Sequence, residues 1–345
     1  MDSQARTAPR VTMDDVARVA GVSRATVSRV MTGNSSVSEE TIAKVNRAIE
    51  DLGYIPNPAA RSLAGYRTRV PTVGLLLRDP TNSSYGFLYS ELQRQAEENG
   101  FQLVASIPTV RGKTVDELEA LSRLLSLGVN GIFLATGSIK PSDVEGLLDK
   151  VPMVSVGRPE FHDEISAVGY DEAKHGEIVA EKVLEYGHHR VGVVLVNEDI
   201  SVPENRRGVS TIRALEAAGV EVVKVLVEPR EAHMLSTNQM LELAEADEID
   251  CAVFPTDLRA TRFLQAAQIA GVDVPEDVSV VGFDGISRES QHTGLATIRI
   301  PVEAVAARAS RVMGVRMQNP RQVVTHENFA GIFVSGRTLG PPRRR

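Results

Sequence analysis

The 345-residue sequence has little of what several protein classes require. Cysteine occurs once, at Cys251, so no internal disulfide can form and nothing indicates an oxidising compartment. No run of about 18 apolar residues occurs, and the N-terminus lacks the apolar segment of a secretory signal peptide. These absences predict a cytoplasmic protein with no membrane partner.

Catalytic and metal-binding signatures are absent as well. The sequence contains no GxxxxGK[ST], HExxH or GxSxG motif and no cysteine pair with metal-ligand spacing. We therefore expect a protein without catalytic residues, metal or cofactor, and keep an enzyme only as a distant alternative. Tryptophan is missing and aromatic residues make up 4% of the chain, so few side chains are available to stack on a sugar ring.

Positive charge is concentrated at the N-terminus. The net charge of the chain is −7, but residues 1–69 hold ten Lys and Arg against seven Asp and Glu. Phosphates respond to charges within about 10 Å rather than to the charge of the whole chain. An acidic protein with a basic head is therefore compatible with DNA binding.

Two short helices are predicted at the start of the chain. Thr12 is an N-cap residue with Asp15 three positions later, which is the capping-box arrangement. Gly21 ends this helix, and Ser23 caps the next one after a turn too short for an antiparallel pair. The pattern is typical of a helix-turn-helix.

The spacing of small and apolar residues supports this interpretation. Ala17 suits the crossing of the two helices, and Val27 and Val30 face the shared core. The remaining positions of the second helix can face a DNA groove. They are Arg24, Ala25, Thr26, Ser28 and Arg29. A three-helix protein-binding module is the alternative.

A third helix and a short hinge follow. Apolar residues recur on one face of residues 38–52, and Gly53 ends the helix. In the segment NPAARSLAG, Asn57 is a cap, Pro58 fits the first helical position and Gly65 is a stop. A helix of about seven residues is marginal alone in water, so a flexible linker is the alternative for residues 57–65.

From residue 73 onward, short apolar runs alternate with helical stretches. The runs VGLLL to PMVSV form one series, and the runs SAVGY to VSVVGF form a second. Alternation of this kind predicts parallel sheets covered by helices, here in two similar lobes.

Ligands of such sheets bind beyond the carboxyl ends of the strands. Polar residues in those positions, or opening the helix after RVGVVLV, are Asp79, Asn82, Ser84, Tyr85, Thr136, Ser138, Arg158, Asp171, Arg207, Asp257 and Asp284. Carboxylates and arginines suit a polyol, a sugar or a small anion. For Asp171 and Arg158, strand-end capping or an interlobe ion pair is an equal alternative.

The segment VTMDDVARVAGVSRATVSRVMTG, with VSEETIAKVNRAIEDLGYIPNPAARSLAG, resembles the headpiece and hinge of the lactose/galactose repressor family, the LacI/GalR family. VNGIFLATGS, YGHHRVGVV, VPEDVSVVGFDG and VSGRTLGPP extend the likeness through most of the chain. The resemblance implies a homodimeric repressor that binds a pseudo-palindromic operator and is controlled by a small, sugar-like effector. A solute-binding receptor without a transcriptional role is the alternative.

The resemblance also implies positions for DNA contacts. Arg24 and Ala25 match the residues that select bases, and Leu63 matches the leucine that wedges between the central base pairs. The full set of implied DNA-binding residues is Thr12, Ser23, Arg24, Ala25, Thr26, Ser28, Arg29, Thr32, Asn57, Ala60, Arg61 and Leu63. An apolar wedge at a kinked base step agrees with how minor-groove proteins bend DNA.

Effector contacts are implied at Asp79, Ser84, Tyr85, Thr136, Arg158, Arg207, Thr256, Asp257 and Asp284. Some of these positions depart from the family pattern. Thr256 stands where an asparagine is usual, and Ser84 stands where an aromatic residue is usual. The departures weaken the expectation of a sugar more than the expectation of an effector.

The expected fold is an all-α helix-turn-helix headpiece joined to a two-lobed α/β body with parallel sheets, like that of periplasmic binding proteins. We expect the headpiece at 1–56, the hinge and linker at 57–69, the effector-binding and dimerisation body at 70–340, and a basic tail at 341–345. Lobe 1 is expected at about 70–160 and 292–325, and lobe 2 at about 161–291 and 326–340.

Replacing Arg24 by alanine should change the preferred base in each operator half-site. A bidentate arginine–guanine contact is worth about 1–3 kcal/mol of discrimination, so the loss should be confined to that position. Selection of binding sites from a randomised DNA pool measures this, and an unchanged base profile would refute the role of Arg24.

Overall fold

A computed structural model describes residues 11–31, 37–54, 70–79, 82–111, 114–136, 139–158, 162–227, 235–319 and 322–343. The chain separates into two compact units, Met1–Arg69 and Val70–Arg345. The expected hinge helix and the predicted contacts Thr32, Asn57, Ala60, Arg61 and Leu63 lie outside the described residues.

The described part of the first unit contains three helices around one small core. They are α1 (Met13–Ala20), α2 (Arg24–Met31) and α3 (Glu39–Leu52). Val16, Val27 and Val45 are fully buried where the three helices meet, with Ala17 beside them. Side chains from all three helices thus pack into one core, which no single helix could form alone.

The caps that start and end these helices follow the sequence signals. The backbone amide of Asp15 donates to Thr12 Oγ1 at 3.3 Å, and the amide of Thr12 donates to Asp15 Oδ2 at 3.0 Å, which completes the capping box. Gly21 ends α1 in the left-handed region, with φ at 65°. The amide of Thr26 donates to Ser23 Oγ at 3.1 Å at the start of α2.

Among its described residues, the second unit contains two six-stranded sheets and a small hairpin. In the first sheet the spatial order is β13-β7-β6-β5-β1-β2, and all the pairings are parallel. Its strands are β1 (Thr72–Leu77), β2 (Gln102–Ser106), β5 (Gly131–Ala135), β6 (Met153–Val156), β7 (Ser166–Tyr170) and β13 (His326–Phe329). The hairpin is β3 (Thr109–Arg111) with β4 (Thr114–Asp116).

The second sheet has the order β14-β12-β11-β10-β8-β9, with only its edge strand β14 antiparallel. Its strands are β8 (Arg190–Val196), β9 (Glu221–Val227), β10 (Cys251–Val253), β11 (Ser279–Asp284), β12 (Ala296–Arg299) and β14 (Ile332–Val334). The inner strands are buried on both faces, as expected for parallel sheets covered by helices.

Helices alternate with the strands of both sheets. Their bounds are α4 (Ser83–Glu98), α5 (Glu117–Ser126), α6 (Pro141–Val144), α7 (Glu172–Glu185), α8 (Val202–Ala217), α9 (Leu235–Glu245), α10 (Asp257–Ala270), α11 (Arg288–Thr293) and α12 (Val302–Gln318), with a 3₁₀ turn at Glu145–Leu147. Helices α7 and α8 pack closely on each other beside the second sheet, and α12 packs on α4 beside the first. The two-lobed α/β architecture is therefore confirmed.

The expected lobe boundaries were wrong in three places. Strand β7 pairs with β6, so residues 166–170 belong to the first sheet and not the second. Strand β12 pairs with β11, so residues 296–299 stay in the second sheet. Strand β13 pairs with β7, so residues 326–329 belong to the first sheet.

The chain therefore crosses between the sheets after Tyr170, after Arg299 and after Phe329. Hydrophobic pattern identifies a strand but not its neighbour, and this explains the displaced boundaries. Within β7, position 169 requires glycine, since a Cβ there would lie 2.3 Å from the carbonyl oxygen of Arg158. A side chain at this position would obstruct the backbone where β7 joins the first sheet.

Replacing Gly176 by alanine should destabilise the body by about 1–3 kcal/mol, the usual cost of overpacking. The new Cβ would lie 2.5 Å from the carbonyl oxygen of Arg207, where α7 crosses α8. Gly314→Ala is the matched control, because Gly314 is also helical and its Cβ would meet nothing within 4 Å. Urea unfolding curves compare the two, and equal midpoints would contradict the close helix crossing.

Candidate functional site

The second helix of the headpiece presents the face predicted to read DNA. Arg24, Ala25 and Arg29 are exposed, whereas Thr26 and Ser28 are half-buried. Arg24 Nη1 lies 3.6 Å from Asp14 Oδ2, and both side chains are 68% exposed. Exposed pairs of this kind contribute little stability, so Arg24 can leave Asp14 for a base at small cost.

The other predicted contacts at the start of the headpiece already have local hydrogen bonds. Thr12 donates its hydroxyl to Asp15 Oδ2 at 2.6 Å, and its amide donates to the same atom. The Ser23 hydroxyl lies 2.9 Å from Thr26 Oγ1. These side chains form caps, and Arg24 and Ala25 on α2 are the exposed candidates for base selection.

A cavity lies between the two lobes of the body. Its walls come from the helices α4 and α8, from the ends of strands in both sheets and from one crossover: Asn82, Ser84, Tyr85, Leu88, Gly157, Tyr170, Ser201, Pro203, Glu204, Arg207, Thr256, Asp284 and Ile300. Its volume is about 480 Å³, which includes space open to solvent, and its walls approach so closely that little room is left between them. That space holds a few waters at most, so a sugar-sized molecule requires the lobes to move apart.

Five of the nine predicted effector residues line this cavity: Ser84, Tyr85, Arg207, Thr256 and Asp284. Four do not line it: Asp79, Thr136, Arg158 and Asp257. Arg158 is buried and donates through Nη1 to the Thr136 hydroxyl at 3.1 Å. Asp257 accepts from the Gly285 amide at 2.9 Å and from the Thr297 hydroxyl at 2.6 Å, which fixes the end of β11.

Asp284 is the last residue of β11 and has an unusual backbone. Its φ is 118°, in the region that favours glycine, and Gly285 follows with φ at 62°. The amide of Ile300 donates to the carbonyl oxygen of Asp284 at 3.1 Å, which ties this strand end to a crossover. Strained, buried residues held in this way are common at functional sites.

Arg207 forms the most extensive polar network of the cleft. Its Nε and Nη2 donate to the two carboxylate oxygens of Glu172 at 2.8 and 2.6 Å. Its Nη1 donates to the carbonyl oxygen of Pro255 at 2.9 Å and to Asp284 Oδ1 at 3.2 Å. Four of the five N–H donors of the guanidinium are thus engaged within the protein.

His175 extends this network to the third crossover. The amide of Gly331 donates to His175 Nε2 at 2.7 Å, so Nδ1 is the nitrogen that donates to Glu172 Oε2 at 3.2 Å. The side chains of both His175 and Glu172 are almost completely buried. The cleft is therefore joined through α7 to the strand connection at Gly331.

Burial and charge move the pKa values of these groups in different directions. Burial by itself would raise the pKa of Glu172, but Arg207 and His175 hold it below its ordinary value. For Asp284 burial prevails, and with the nearby Asp257 it raises the pKa well above the ordinary value despite Arg207. Burial also raises the pKa of Tyr85 to about 12. At neutral pH Tyr85 thus offers a hydroxyl to the cleft.

The sequence reasoning missed Glu172, His175 and Glu204. A signal for Glu204 existed, because SVPE at residues 201–204 is the capping pattern of a helix that starts beside the cleft. Glu172 directly follows the candidate Asp171, which instead caps α7 by accepting from the Lys174 amide at 3.0 Å. No sequence pattern pointed to His175.

Within the described ranges, no helix is long and apolar enough to cross a membrane. The same residues contain no group of three or more His, Cys, Asp or Glu side chains that could hold a metal ion.

Comparison with known proteins identifies the family. Residues 12–57 match the family described as "Bacterial regulatory proteins, lacI family", and residues 180–338 match "Periplasmic binding protein-like domain". The chain is 31% identical to catabolite control protein A of Priestia megaterium over 88% of this chain and 91% of that protein.

Two solved structures share the whole architecture. The "transcriptional regulator CelR-cellobiose complex" aligns with a TM-score of 0.66 at 26% identity, covering 96% of this chain and 100% of the other. The lac repressor dimer bound to operator and the anti-inducer ONPF aligns with a TM-score of 0.77 at 21% identity, covering 95% and 99%.

The chain belongs to the lacI family of bacterial regulatory proteins. It is accordingly a DNA-binding transcriptional regulator and not an enzyme. The family resemblance stated from the sequence is confirmed, and the alternative of a receptor without a transcriptional role is not favoured.

Asp284→Asn and Glu172→Gln should change the pH dependence of stability in opposite directions. Because the pKa of Asp284 is raised in the folded protein, its contribution to the free energy of unfolding is fully present below the ordinary carboxyl pKa of about 4. This stabilising contribution is lost as the pH rises through the raised pKa. Relative to Asp284→Asn, the wild type should therefore lose stability from pH about 4 upward.

The lowered pKa of Glu172 has the opposite consequence. The contribution of Glu172 to the free energy of unfolding is present above the ordinary carboxyl pKa. It is lost as the pH falls through the lowered pKa. Glu172→Gln should cost about 3–5 kcal/mol at neutral pH, because it leaves a buried guanidinium poorly paired, and less in acid. Unfolding midpoints measured across the pH range test both variants; parallel curves would contradict the assigned shifts.

Proposed function

We propose that the chain acts in the cytoplasm as a homodimeric repressor whose affinity for a pseudo-palindromic operator is controlled by a small sugar-like effector in the cleft. The observation that carries the proposal is the buried Arg207–Asp284 pair at the wall of the interlobe cavity. A charged pair facing hydroxyl side chains suits the donors and acceptors of a polyol.

The relatives support the same arrangement. One solved structure that aligns with the chain is a regulator in complex with cellobiose, and another is a repressor dimer bound to operator. A solute-binding receptor would leave the helix-turn-helix without a role.

On DNA, Arg24 and Ala25 would select bases, while Ser23, Thr26, Ser28 and Arg29 would contact phosphates and neighbouring bases. Thr12 and Thr32 would add phosphate contacts. The hinge residues Asn57, Ala60, Arg61 and Leu63 would occupy the central minor groove, with Leu63 as the wedge. Their support comes from the sequence, and two copies of the headpiece would supply the binding strength that a single small basic unit lacks.

In the cleft, Ser84, Tyr85, Arg207, Thr256 and Asp284 would contact the effector. Asp79, Thr136 and Arg158 would reach it only in an opened form, and the bonds of Asp257 to Gly285 and Thr297 support a positioning role. An effector controls the operator only through a difference in affinity between two lobe arrangements. Admission of a ligand to this small cavity requires two such arrangements.

Fluorescence anisotropy with a labelled promoter fragment tests the proposal. Added singly from a panel of sugars, polyols, sugar acids and nucleosides, at least one compound should change the operator Kd about tenfold, which corresponds to a coupling of about 1.4 kcal/mol. Random DNA of equal length is the control for non-specific binding. A panel without effect on a specifically bound operator would refute effector control.

Tyr85→Phe provides the matched test of the site. It removes a hydroxyl from the cavity wall and should weaken the response about threefold to tenfold, the worth of one hydrogen bond. Tyr89→Phe removes a hydroxyl one helical turn away on an exposed side chain and should change nothing. Equal responses of the two variants would place the effector elsewhere.

A further inference from the structure

The charged side chains that line the cavity are unequally provided with partners. Among the described residues they are two carboxylates, Glu204 and Asp284, and one guanidinium, Arg207. The guanidinium is bound in bidentate fashion by Glu172, which does not line the cavity. The charge that the wall offers to a ligand is therefore negative.

Glu204 is the carboxylate with the fewest commitments. It lies in the first turn of α8 and is half-buried, and within the described residues its carboxylate makes no ion pair within 4 Å. Glu204 lines the cavity together with Asp284, Arg207 and Tyr85, and its charge raises the pKa values of these three groups and of Arg259. A ligand group at this point meets two carboxylates at once.

Other described arginines lie near the cleft without lining the cavity. Arg158 donates to Thr136, and Glu117 is the carboxylate that most strongly opposes the lowering of its pKa by burial. Arg259 donates to the Ser236 hydroxyl at 3.3 Å on α9, and Glu204 is the carboxylate that most strongly opposes the lowering of its pKa by burial. The positive charges of Arg78 and Arg206 lower the pKa of Arg158, and neither residue lines the cavity.

The remaining walls also favour a cation. Tyr85 and Tyr170 both line the cavity, and the face of an aromatic ring attracts positive charge. Burial already makes ionisation of Asp284 costly, and an adjacent cation would reduce that cost. A negatively charged ligand would increase it.

We propose that the effector carries a protonated amine, seated between Glu204 and Asp284, as in an amino sugar or another small amino polyol. This inference rests on the proposed function, since it names the chemical class of ligand for the same cleft. The hydroxyls of such a ligand would use Ser84, Tyr85 and Thr256, and its ammonium group would use the two carboxylates.

Thermal denaturation of the full-length protein with matched sugars tests the inference. The probes are D-glucosamine, D-galactosamine and D-mannosamine, each beside its neutral parent sugar and its N-acetyl derivative, at slightly acidic pH where the amines are protonated. At least one amino sugar should raise the Tm at concentrations where its parent and its N-acetyl form do not. If no amino sugar does so, the inference is overturned.

Calorimetric titration with the best amino sugar then tests the residue. Glu204→Gln should weaken its Kd about tenfold or more, as expected for a hydrogen bond between charged groups, and should leave the binding of the neutral parent unchanged. Glu198→Gln is the matched control, since it removes the same charge from an exposed residue outside the cavity wall. Equal Kd values for wild type and Glu204→Gln would overturn the inference.

The operator assay separates this inference from the proposed function. An amino sugar that binds through Glu204 without changing operator affinity would contradict the effector role and leave the ligand class standing. A neutral sugar that changes operator affinity while its amino form does not bind would support effector control and overturn the ligand class.

Discussion

The buried ion pair of Arg207 and Glu172 is the interaction on which the rest of the cleft depends. Both side chains are at most 5% exposed, so removing their charges from water is expensive. The bidentate geometry, with further bonds to His175, Pro255 and Asp284, offsets that cost by satisfying most donors and acceptors. Such a pair contributes little net stability, but it fixes where the guanidinium stands.

The same network reaches all three connections between the lobes. Glu172 directly follows the first crossover, the Ile300 amide of the second donates to Asp284, and the Gly331 amide of the third donates to His175. A ligand that competes for the Asp284 carboxylate would disturb its bond to Arg207, which is part of the network that reaches these connections. We infer that a ligand in the cleft changes the hydrogen bonds at the segments where the chain passes between the lobes. Movement of the lobes must be accommodated in these same segments.

The headpiece could be predicted almost residue by residue because its signals are local. The Thr12 capping box, the left-handed Gly21 and the buried Val27 each depend on neighbours within a few positions. Lobe boundaries depend instead on which strands pair, and the polar edge strand His326–Phe329 carries no apolar pattern to reveal it. The carboxyl ends of the strands suggested Asp284, which the structure places in the wall of the interlobe cavity.

The partners of the cleft residues could not be derived from the sequence. Arg207 and Glu172 are 35 positions apart in the sequence. No sequence pattern predicts that α7 and α8 cross closely enough for these two residues to form a bidentate ion pair. The helices can cross there because Gly176 has no side chain. This role of Gly176 can be recognised only from the folded backbone. The commitment of Arg207 to an internal partner, which decides the charge offered to a ligand, is therefore a result of the structure alone.

Amide hydrogen exchange at the three crossovers, compared between wild type and Glu172→Gln, tests the central claim most directly. Glu177→Gln, an exposed change on the same helix, is the control. The account predicts that Glu172→Gln speeds exchange at the Gly331 and Ile300 amides together, because both depend on one network, while the control alters neither. Faster exchange at one amide with the other unchanged would show that the crossovers are held independently and would contradict the account.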